Sequence, residues 1–573
     1  MSHKNHHASL GKYQSSVEDA LKSLHEQKII PRIWQHDHTV WKPDPTEITN
    51  RLGWLHSPED MQKNIPEINA CVEAVRNAGF MQALLLGMGG SSLAPEVFRF
   101  SFGVKLGYLD LAVLDSTHPG AVLHHAGRLD LEKTIFIVST KSGGTVETFS
   151  FFKYFYNQVQ KAVRRENAGN HFIAITDPGS GLADTAREYK FRKTFLNDPN
   201  IGGRYSALSY FGLVPAALSG VDVDRLLAAA RAMALQCQSE SFAPAGENTG
   251  VWLGAILGEM ARTGRDKVTL FLSPALSSFG AWVEQLIAES TGKEGKGILP
   301  VASEEPGAPQ VYAADRLFIY MRLAGDTSHD AKIKALADAG HPVVQFELQD
   351  VYDLGGEFLR WEIATIVAGW RLGINPFDQP NVESAKVLAR KMVAEFQQKG
   401  KLPELVPALK QGGMAVYADT PGASMREVLQ KFLAHAKKAE EAKHARSYVA
   451  LQAYVAPNAT TDEALKSLAQ KIRDRHQLAV TIGYGPRFLH STGQLHKGDS
   501  GNGLFIQFTD NISVDAPIPD KAGEEASSMT FGTLITAQAL GDRQALLDNQ
   551  RRVLRFDLGN EVAAGLQRLV EWV

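Results

Sequence analysis

Short apolar runs recur along the chain and alternate with longer amphipathic segments. Four of them lie about 20–40 residues apart and have the length of buried strands: Ala83–Leu86, Leu111–Leu114, Thr134–Val138 and Phe172–Ile175. Strands that alternate with helical segments at this spacing form βαβ units, in which helices cover both faces of a parallel sheet. This part of the chain therefore predicts an α/β fold with a mostly parallel sheet.

The same pattern returns in two later parts of the chain. Further strands are predicted at Lys267–Leu272, Leu317–Met321, Pro342–Phe346, Tyr448–Val455, Leu478–Ile482 and Leu504–Phe508. The charge-rich stretch 425–445 predicts an exposed helix. Because 573 residues exceed one ordinary hydrophobic core, two or three domains are expected.

The domain boundaries follow from changes in this pattern. The polar residues 1–45 predict a lead-in with one short helix, which Pro43 and Pro45 separate from the rest. We expect one α/β domain at 46–245 and a second at 246–400. A C-terminal α/β part at 401–573 is expected to complete the second domain.

Composition narrows the class of protein. Lysine and arginine (60) nearly balance aspartate and glutamate (63), so no strong field favours nucleic acid or an anionic membrane. Two cysteines, Cys71 and Cys237, are too few for a disulfide framework and fit a reducing compartment. The start has no apolar leader segment, and His3, His6 and His7 are expected in a frayed, solvated terminus. No apolar run approaches the roughly 20 residues that span a bilayer, so we expect a cytoplasmic protein.

A glycine-rich turn follows the first predicted strand, at Gly87–Ser92. Backbone N–H groups in such a turn, at the start of a helix, can bind an anion. Asp115, at the end of the next strand, also raises a dinucleotide-binding interpretation, but Ser92 stands where the third glycine of that fingerprint belongs. A tight turn without a ligand is a third possibility.

A second turn, Ser139–Thr148, carries five hydroxyls, two glycines and Lys141. A Ser/Thr helix cap with Glu147 in the first turn explains one hydroxyl, but not five. Hydroxyls, amides and an ammonium at a helix start suit a phosphate dianion. Since both turns follow strands of one sheet, they are expected at one crevice, where a sugar phosphate becomes the leading ligand.

Further segments give these turns a family context: Asp115–Pro119, Gly202–Ser206, Glu284–Lys293, Ile374–Lys386 and His490–Leu495. Together with the two turns they resemble the sugar-isomerase (SIS) fold of the glucose-6-phosphate isomerase family, across residues 80–390 and part of the C-terminal third. The resemblance is greatest to the isomerase half of bacterial transaldolase/glucose-6-phosphate isomerase fusions, and we expect the isomerase part alone. It implies two SIS domains with mostly parallel sheets flanked by helices, plus the α/β C-terminal extension.

The resemblance also implies roles for particular residues. Glu289 would be the base that moves a proton between two carbons, with Gln285 one helical turn before it. Arg204 would stabilise the intermediate and His490 would open the sugar ring. Lys386 would either assist ring opening or contact the phosphate. Backbone contacts to the substrate would come from Gly90 and Gly203, and its phosphate would be bound by Ser91, Thr140, Lys141, Ser142, Thr145 and Thr148.

Three departures from the family pattern stand out. Gly144 replaces a threonine that is common in the phosphate turn. The histidine segment follows the glutamate by a few tens of residues in the family, whereas here it lies near residue 490, so His118 and His496 compete with His490 for the ring-opening role. The length beyond residue 400 has no counterpart in the family pattern.

The resemblance implies an aldose–ketose isomerase that interconverts glucose 6-phosphate and fructose 6-phosphate through a cis-enediol, a step of glycolysis and gluconeogenesis. It implies no metal or cofactor, and a homodimer. Two alternatives stay open. The first is an isomerase of mannose 6-phosphate or a 6-sulfonated glucose, which Gly144 favours because it removes one hydroxyl from the phosphate turn. The second is a non-catalytic phosphosugar sensor. The dinucleotide-binding interpretation of the first turn would make the protein a dehydrogenase, and such an enzyme would have to bind nicotinamide.

Overall fold

A computed structural model describes residues 6–240, 248–419, 422–436 and 446–573. Within these ranges the strands are β1 (His6–Ser9), β2 (Gln82–Gly87), β3 (Asp110–Leu114), β4 (Thr134–Ser139), β5 (Phe172–Thr176), β6 (Lys193–Leu196), β7 (Lys267–Leu272), β8 (Leu299–Val301), β9 (Arg316–Leu323), β10 (Val343–Leu348), β11 (Leu409–Gln411), β12 (Met414–Tyr417), β13 (Tyr448–Tyr454), β14 (Ala479–Tyr484), β15 (Gly503–Thr509), β16 (Pro517–Ile518), β17 (Met529–Thr530) and β18 (Arg552–Asp557).

The α-helices in the same ranges are α1 (Gln14–Glu26), α2 (Ile29–Trp34), α3 (Ser57–Gln62), α4 (Ile65–Asn77), α5 (Leu93–Phe102), α6 (Pro119–Arg128), α7 (Val146–Ala162), α8 (Gly181–Glu188), α9 (Tyr210–Ser219), α10 (Val223–Gln238), α11 (Thr249–Arg262), α12 (Phe279–Thr291), α13 (Asp330–Asp338), α14 (Leu354–Leu372), α15 (Val382–Lys399), α16 (Met425–Leu433), α17 (Ala459–His476), α18 (Gly493–Gly498), α19 (Phe531–Asp548) and α20 (Val562–Trp572). None of the described helices is both long and apolar enough to span a bilayer.

The first sheet has the order β3-β2-β4-β5-β6, and all its strands are parallel. β2, β4 and β5 are buried along almost their whole length, which explains their continuous apolar sequences. The chain passes from β3, on one side of β2, to β4 on the other side. This reversal creates a crevice at the carboxyl ends of β2 and β4, the place where α/β sheets bind ligands.

The second sheet has the order β1-β10-β9-β7-β8, in which only β1 is antiparallel. Helices α10, α11 and α14 pack together, and one large apolar core extends from the first sheet to the second. The expected mixture of helices with mostly parallel sheets is confirmed.

The C-terminal part forms a third sheet, in the order β11-β12-β18-β15-β13-β14, with its own apolar core. Strands β14, β13, β15 and β18 are parallel, whereas β11 and β12 extend the edge in antiparallel fashion. A smaller apolar cluster, which includes Ala288 on α12, Leu299 and Val301 on β8, and Phe505 on β15, joins this sheet to the second. The proposed domain boundaries stay a prediction.

The structure corrects two expectations at the level of local structure. The start of the chain is not frayed from residue 6 onward, because His6–Ser9 pairs with β10 and fills its open edge. His3 lies outside the described residues. Of the helix predicted at 425–445, the described residues include α16 and the few residues after it. This helix is not fully exposed, because Met425, Val428, Leu429 and Phe432 form a buried stripe at helical spacing.

Candidate active site

The two glycine-containing turns lie side by side at the crevice of the first sheet. Gly87, the last residue of β2, is opposite Ser139, the last residue of β4. The Ser139 hydroxyl donates a hydrogen bond to the carbonyl of Ser91 (3.3 Å), which ties the turns together. The prediction that both turns meet at one crevice is therefore confirmed by the register of the strands.

The hydroxyls of the second turn surround the start of α7. The hydroxyls of Thr140 and Thr145 are 2.9 Å apart. Thr148 is fully buried, and its hydroxyl has no hydrogen-bond partner. Ser142 is exposed, and its oxygen accepts a long hydrogen bond (3.4 Å) from the amide of Gly144. An unpaired hydroxyl at a helix start, where the first backbone amides have no partner within the helix, is suited to an anionic oxygen.

Lys141 of this turn is turned toward a carboxylate of the protein. Its ammonium forms an ion pair with Asp177 and donates to the carbonyl of Pro199 (2.9 Å). Burial raises the pKa of Asp177, although the charge and hydrogen bond of Lys141 oppose the shift. Lys141 thus lies at the predicted crevice, but its charge is already paired there.

Glycines allow the first turn to approach its neighbours closely. A Cβ atom on Gly90 would lie 2.0 Å from the carbonyl oxygen of Gly203. Gly89 has a φ of +55°, and a Cβ there would lie 2.9 Å from both the Gln285 amide nitrogen and the His490 carbonyl oxygen. The turn is therefore in contact with three other predicted segments of the site.

Helix α12 brings Gln285 and Glu289 to the same face, as their spacing predicts. The Gln285 amide donates to one oxygen of Glu289 (3.2 Å), and Arg204 lies 3.4 Å from the other. The Glu289 side chain is only 13% exposed, so the carboxylate sits in a nearly enclosed position between a neutral donor and a cation.

Arg204 is buried, and its guanidinium is bound on every side. Its Nε donates to Ser290 (2.8 Å) and its Nη1 to Gln379 (3.0 Å). Its Nη2 donates to the carbonyls of Pro376 (2.7 Å) and Asp378 (3.0 Å). The planar fork of arginine fits this set of acceptors, and it holds the positive charge beside Glu289.

Lys293 strengthens the same corner of the site, although nothing in the sequence singles it out as a functional residue. It is 1% exposed, and its ammonium donates to the carbonyl and the carboxylate of Asp378. Burial, with a smaller contribution from nearby Arg204, lowers the pKa of Lys293 to about 8. Lys293 therefore fixes the loop that in turn binds Arg204.

His490 comes from the C-terminal part and completes the other side of the site. Its carbonyl accepts a hydrogen bond from Gln285 (2.7 Å), and its Nε2 lies 3.2 Å from a carboxylate oxygen of Glu147. The histidine segment has thus moved along the chain, yet the fold brings it next to the helix that carries Glu289.

Glu147 is a further site residue, although the sequence predicts only an ordinary first-turn acid of α7 at this position. Burial alone would raise its pKa, but the charge and hydrogen bond of His490, with a smaller effect of Lys386, outweigh burial and lower the pKa below 4.5. Lys386, on α15, is half-buried and lies near enough to act on this carboxylate. The pairing of Glu147 with His490 has no signal in the local sequence.

The two competing histidines have other partners. His118 pairs with Asp510 (3.2 Å) at the start of α6. His496 is enclosed by aromatic rings such as Phe505, and burial lowers its pKa far below the usual range. Among the residues that the structure describes, no three His, Cys, Asp or Glu side chains are grouped as metal ligands.

The fold and this constellation define the class: the sugar-isomerase type of α/β protein. The phosphoglucose isomerase family model matches residues 61–300. A glucose-6-phosphate isomerase of Thermus thermophilus is 30% identical over 392 residues, which are 60% of this chain and 90% of the relative. One from Rubrobacter xylanophilus is 28% identical over 420 residues, 65% of this chain and 94% of the relative.

Two solved structures have a fold similar to that of this chain. A hypothetical protein from Thermus thermophilus superposes with a TM-score of 0.59 at 26% identity, covering 68% of this chain and all of the other. A glucose-6-phosphate isomerase from Chlamydia trachomatis has a TM-score of 0.57 at 18% identity, covering 67% and 86%, and is similar in fold. The chain belongs to the phosphoglucose isomerase family.

Proposed function

We propose that this enzyme interconverts glucose 6-phosphate and fructose 6-phosphate through a cis-enediolate. The observation that carries the proposal is the nearly enclosed Glu289 carboxylate, placed between Gln285 and Arg204 in a chain of the phosphoglucose isomerase family. The alternatives of a nicotinamide enzyme and a phosphosugar sensor do not need a carboxylate with these neighbours.

The phosphate is proposed to bind where the two turns meet. Ser91, Thr140, Ser142, Thr145 and Thr148 offer hydroxyls there, and the start of α7 adds amides and a favourable dipole. The ammonium of the neighbouring lysine is held by Asp177, so we expect it to act on the phosphate at longer range unless that ion pair opens.

Ring opening is proposed for His490. A proton must reach the ring oxygen, and the anomeric hydroxyl must lose one. Glu147 faces Nε2 of His490, so the carboxylate can stabilise the imidazolium and leave Nδ1 toward the substrate. Lys386, whose charge helps to lower the pKa of Glu147, is proposed to assist ring opening.

Isomerisation follows in the open chain. Glu289 takes the proton from C2 and returns it to C1, while the electron pair moves through the enediolate. The negative charge that develops on the two oxygens is stabilised by Arg204, whose position costs no reorganisation because it is already fixed by four hydrogen bonds. We expect backbone contacts to the sugar at Gly90 and Gly203, and the space beside the Cα atom of Gly203 is open.

The test is the Glu289→Gln variant. Its turnover of glucose 6-phosphate is expected to fall by about 10²–10⁴ while a phosphorylated aldonic acid, which mimics the open chain, still binds. Glu294→Gln is the matched control, since that exposed carboxylate only pairs with Lys42. Turnover within a few fold of the wild type in Glu289→Gln would refute the assignment of the base. A wild type that binds but does not isomerise would favour the sensor.

Substrate preference is tested in parallel. Gly144 removes one hydroxyl from the phosphate turn, so turnover should be measured side by side for glucose 6-phosphate, mannose 6-phosphate and 6-sulfonated glucose. A large preference for the sulfonate would replace the first assignment.

The homodimer and the cytoplasmic location also belong to this proposal. Both described cysteines are free and buried, as expected in a reducing compartment. Light scattering at assay concentration is expected to give twice the mass of the 573-residue chain, and the mass of one chain would refute the dimer.

A further inference from the structure

A glutamine from the C-terminal part reaches the predicted ring-opening pair. Gln538, on α19, is buried, and its amide nitrogen donates to the Glu147 oxygen that faces His490 (2.8 Å). Residues 147 and 538 are 391 positions apart in the chain. One carboxylate oxygen thus receives both the histidine and the glutamine.

The orientation of this amide is fixed by a second contact. The buried hydroxyl of Thr117 donates to the Gln538 carbonyl oxygen (2.7 Å). If the amide were flipped, its oxygen would face the Glu147 carboxylate, and two acceptors would meet in a buried place. Thr117 therefore donates to Gln538 and Gln538 donates to Glu147, whose same oxygen also faces His490, so a line of hydrogen bonds converges on Glu147.

The surrounding helices hold Gln538 in place. Phe531, at the start of α19, stacks on Phe151 of α7 with a centroid distance of 5.9 Å. Near the other end, a Cβ atom on Gly541 would lie 2.7 Å from the backbone nitrogen of Ala389 on α15, so α19 lies directly against the helix that carries Lys386. Gln538 is presented to Glu147 from a helix that packs between two others.

We propose that Gln538 is a positioning residue for ring opening, acting through Glu147 on His490, with Thr117 setting its amide. The inference rests on the proposed isomerase function and deepens it. A carboxylate with a single donor could turn away from the histidine. With the amide bound, its Oε1 atom is held toward Nε2, so the imidazole keeps one orientation toward the sugar ring.

Ring opening can be measured apart from isomerisation. A sugar phosphate that opens and closes again exchanges its α and β anomers, and this exchange is visible by NMR in a Glu289→Gln background where carbon-bound protons do not move. Adding Gln538→Leu to that background should slow enzyme-catalysed anomer exchange by about 10- to 100-fold, as for the loss of a hydrogen bond to a charged group. Thr117→Val should slow it by a smaller factor.

Two further variants separate positioning from folding. Gln538→Glu keeps the shape of the side chain but replaces the donor with an acceptor, and it should slow exchange at least as much as Gln538→Leu. Gln507→Leu is the matched control: this buried amide donates to the carbonyl of Ala539 on the same helix (3.2 Å). It should leave anomer exchange within about twofold, because the hydrogen-bonded line to Glu147 stays intact.

The experiments distinguish failure of the positioning role of Gln538 from failure of the proposed isomerase function. Wild-type turnover of glucose 6-phosphate together with unchanged anomer exchange in both Gln538 variants would overturn this inference alone. Equal losses in the Gln538 variants and Gln507→Leu, or weaker binding of a phosphorylated aldonic acid in the Gln538 variants alone, would assign Gln538 a merely structural role. No isomerisation by the wild type would instead overturn the proposed function itself.

Discussion

Replacing Arg204 with lysine would keep the positive charge beside Glu289 but remove the planar fork that holds it. The guanidinium makes four hydrogen bonds, to Ser290, Gln379 and the carbonyls of Pro376 and Asp378. A lysine ammonium has three donors on a single atom and cannot reach acceptors arranged around a plane.

The structure sets the expected magnitude of this change. If two of the four buried acceptors lose their donor, at about 1–3 kcal/mol each, the free energy of unfolding falls by about 2–6 kcal/mol. The charge also moves away from the place where the enediolate forms, which is expected to lower kcat by about 10²–10³. The assay is kcat for glucose 6-phosphate, together with the thermal unfolding of the same sample.

Arg316→Lys is the matched control for this prediction. Arg316 is fully buried and donates to Thr269 (2.6 Å) and the carbonyl of Leu478 (3.2 Å), where the second and third sheets meet. Its replacement should cost similar stability but leave kcat per folded molecule within about twofold, since it has no part in the site. If Arg204→Lys keeps kcat within a few fold, or if both variants lose kcat equally, the role assigned to Arg204 is refuted.

Three other changes test separate features of the site. Gly90→Ala places a Cβ 2.0 Å from the Gly203 carbonyl oxygen, so we expect a loss of about 1–3 kcal/mol and a kcat lowered more than 10-fold. Gly127→Ala, in open space on α6, should be neutral or slightly stabilising, and equal behaviour of the two variants would contradict the close contact. The pKa of Lys293 is lowered from 10.5 to about 8, so between these pH values the unfolded chain binds a proton that the folded chain does not. In urea unfolding, the free energy of unfolding of the wild type relative to Lys293→Met should therefore rise by about 3 kcal/mol from pH 8 to pH 10.5. No such rise would refute the pKa shift. Glu147→Gln should slow isomerisation by about 10-fold or more. Because the folded pKa of Glu147 lies below 4.5, the wild type should lose stability relative to this variant only as the pH falls below about 4.5, and parallel pH curves would contradict that.

Much of the first sheet could be predicted because its strands are buried on both faces. Such strands have continuous apolar sequences, and the predicted run Thr134–Val138 differs from β4 by a single residue. The meeting of the two turns followed from the same rule, since parallel strands end at one edge. Strands that carry polar or charged residues could not be predicted in this way, because their apolar sequence is interrupted. An example is β18, which has arginine at both residues 552 and 555.

The site could be predicted only where its residues share an element. Gln285 and Glu289 are one turn apart on α12, and a helical period relates them. The contacts of Glu147 with His490 and Gln538 join residues more than 340 positions apart, and no period relates them. The ion pair between Lys141 and Asp177 also depends on the tertiary fold, because Asp177 follows the next strand, β5, and no local pattern relates the two residues. The roles of these residues in catalysis stay predictions.

The pairing of β1 with β10 has a consequence for how the chain is made. Ser9 lies opposite Val343, so β1 finds its partner only after about 330 more residues have been added. At about 5–20 residues per second, a ribosome needs roughly 20–70 s for that length. Throughout this interval β1 lacks the strand with which it pairs in the folded chain. The second sheet is thus closed late in translation by its oldest strand.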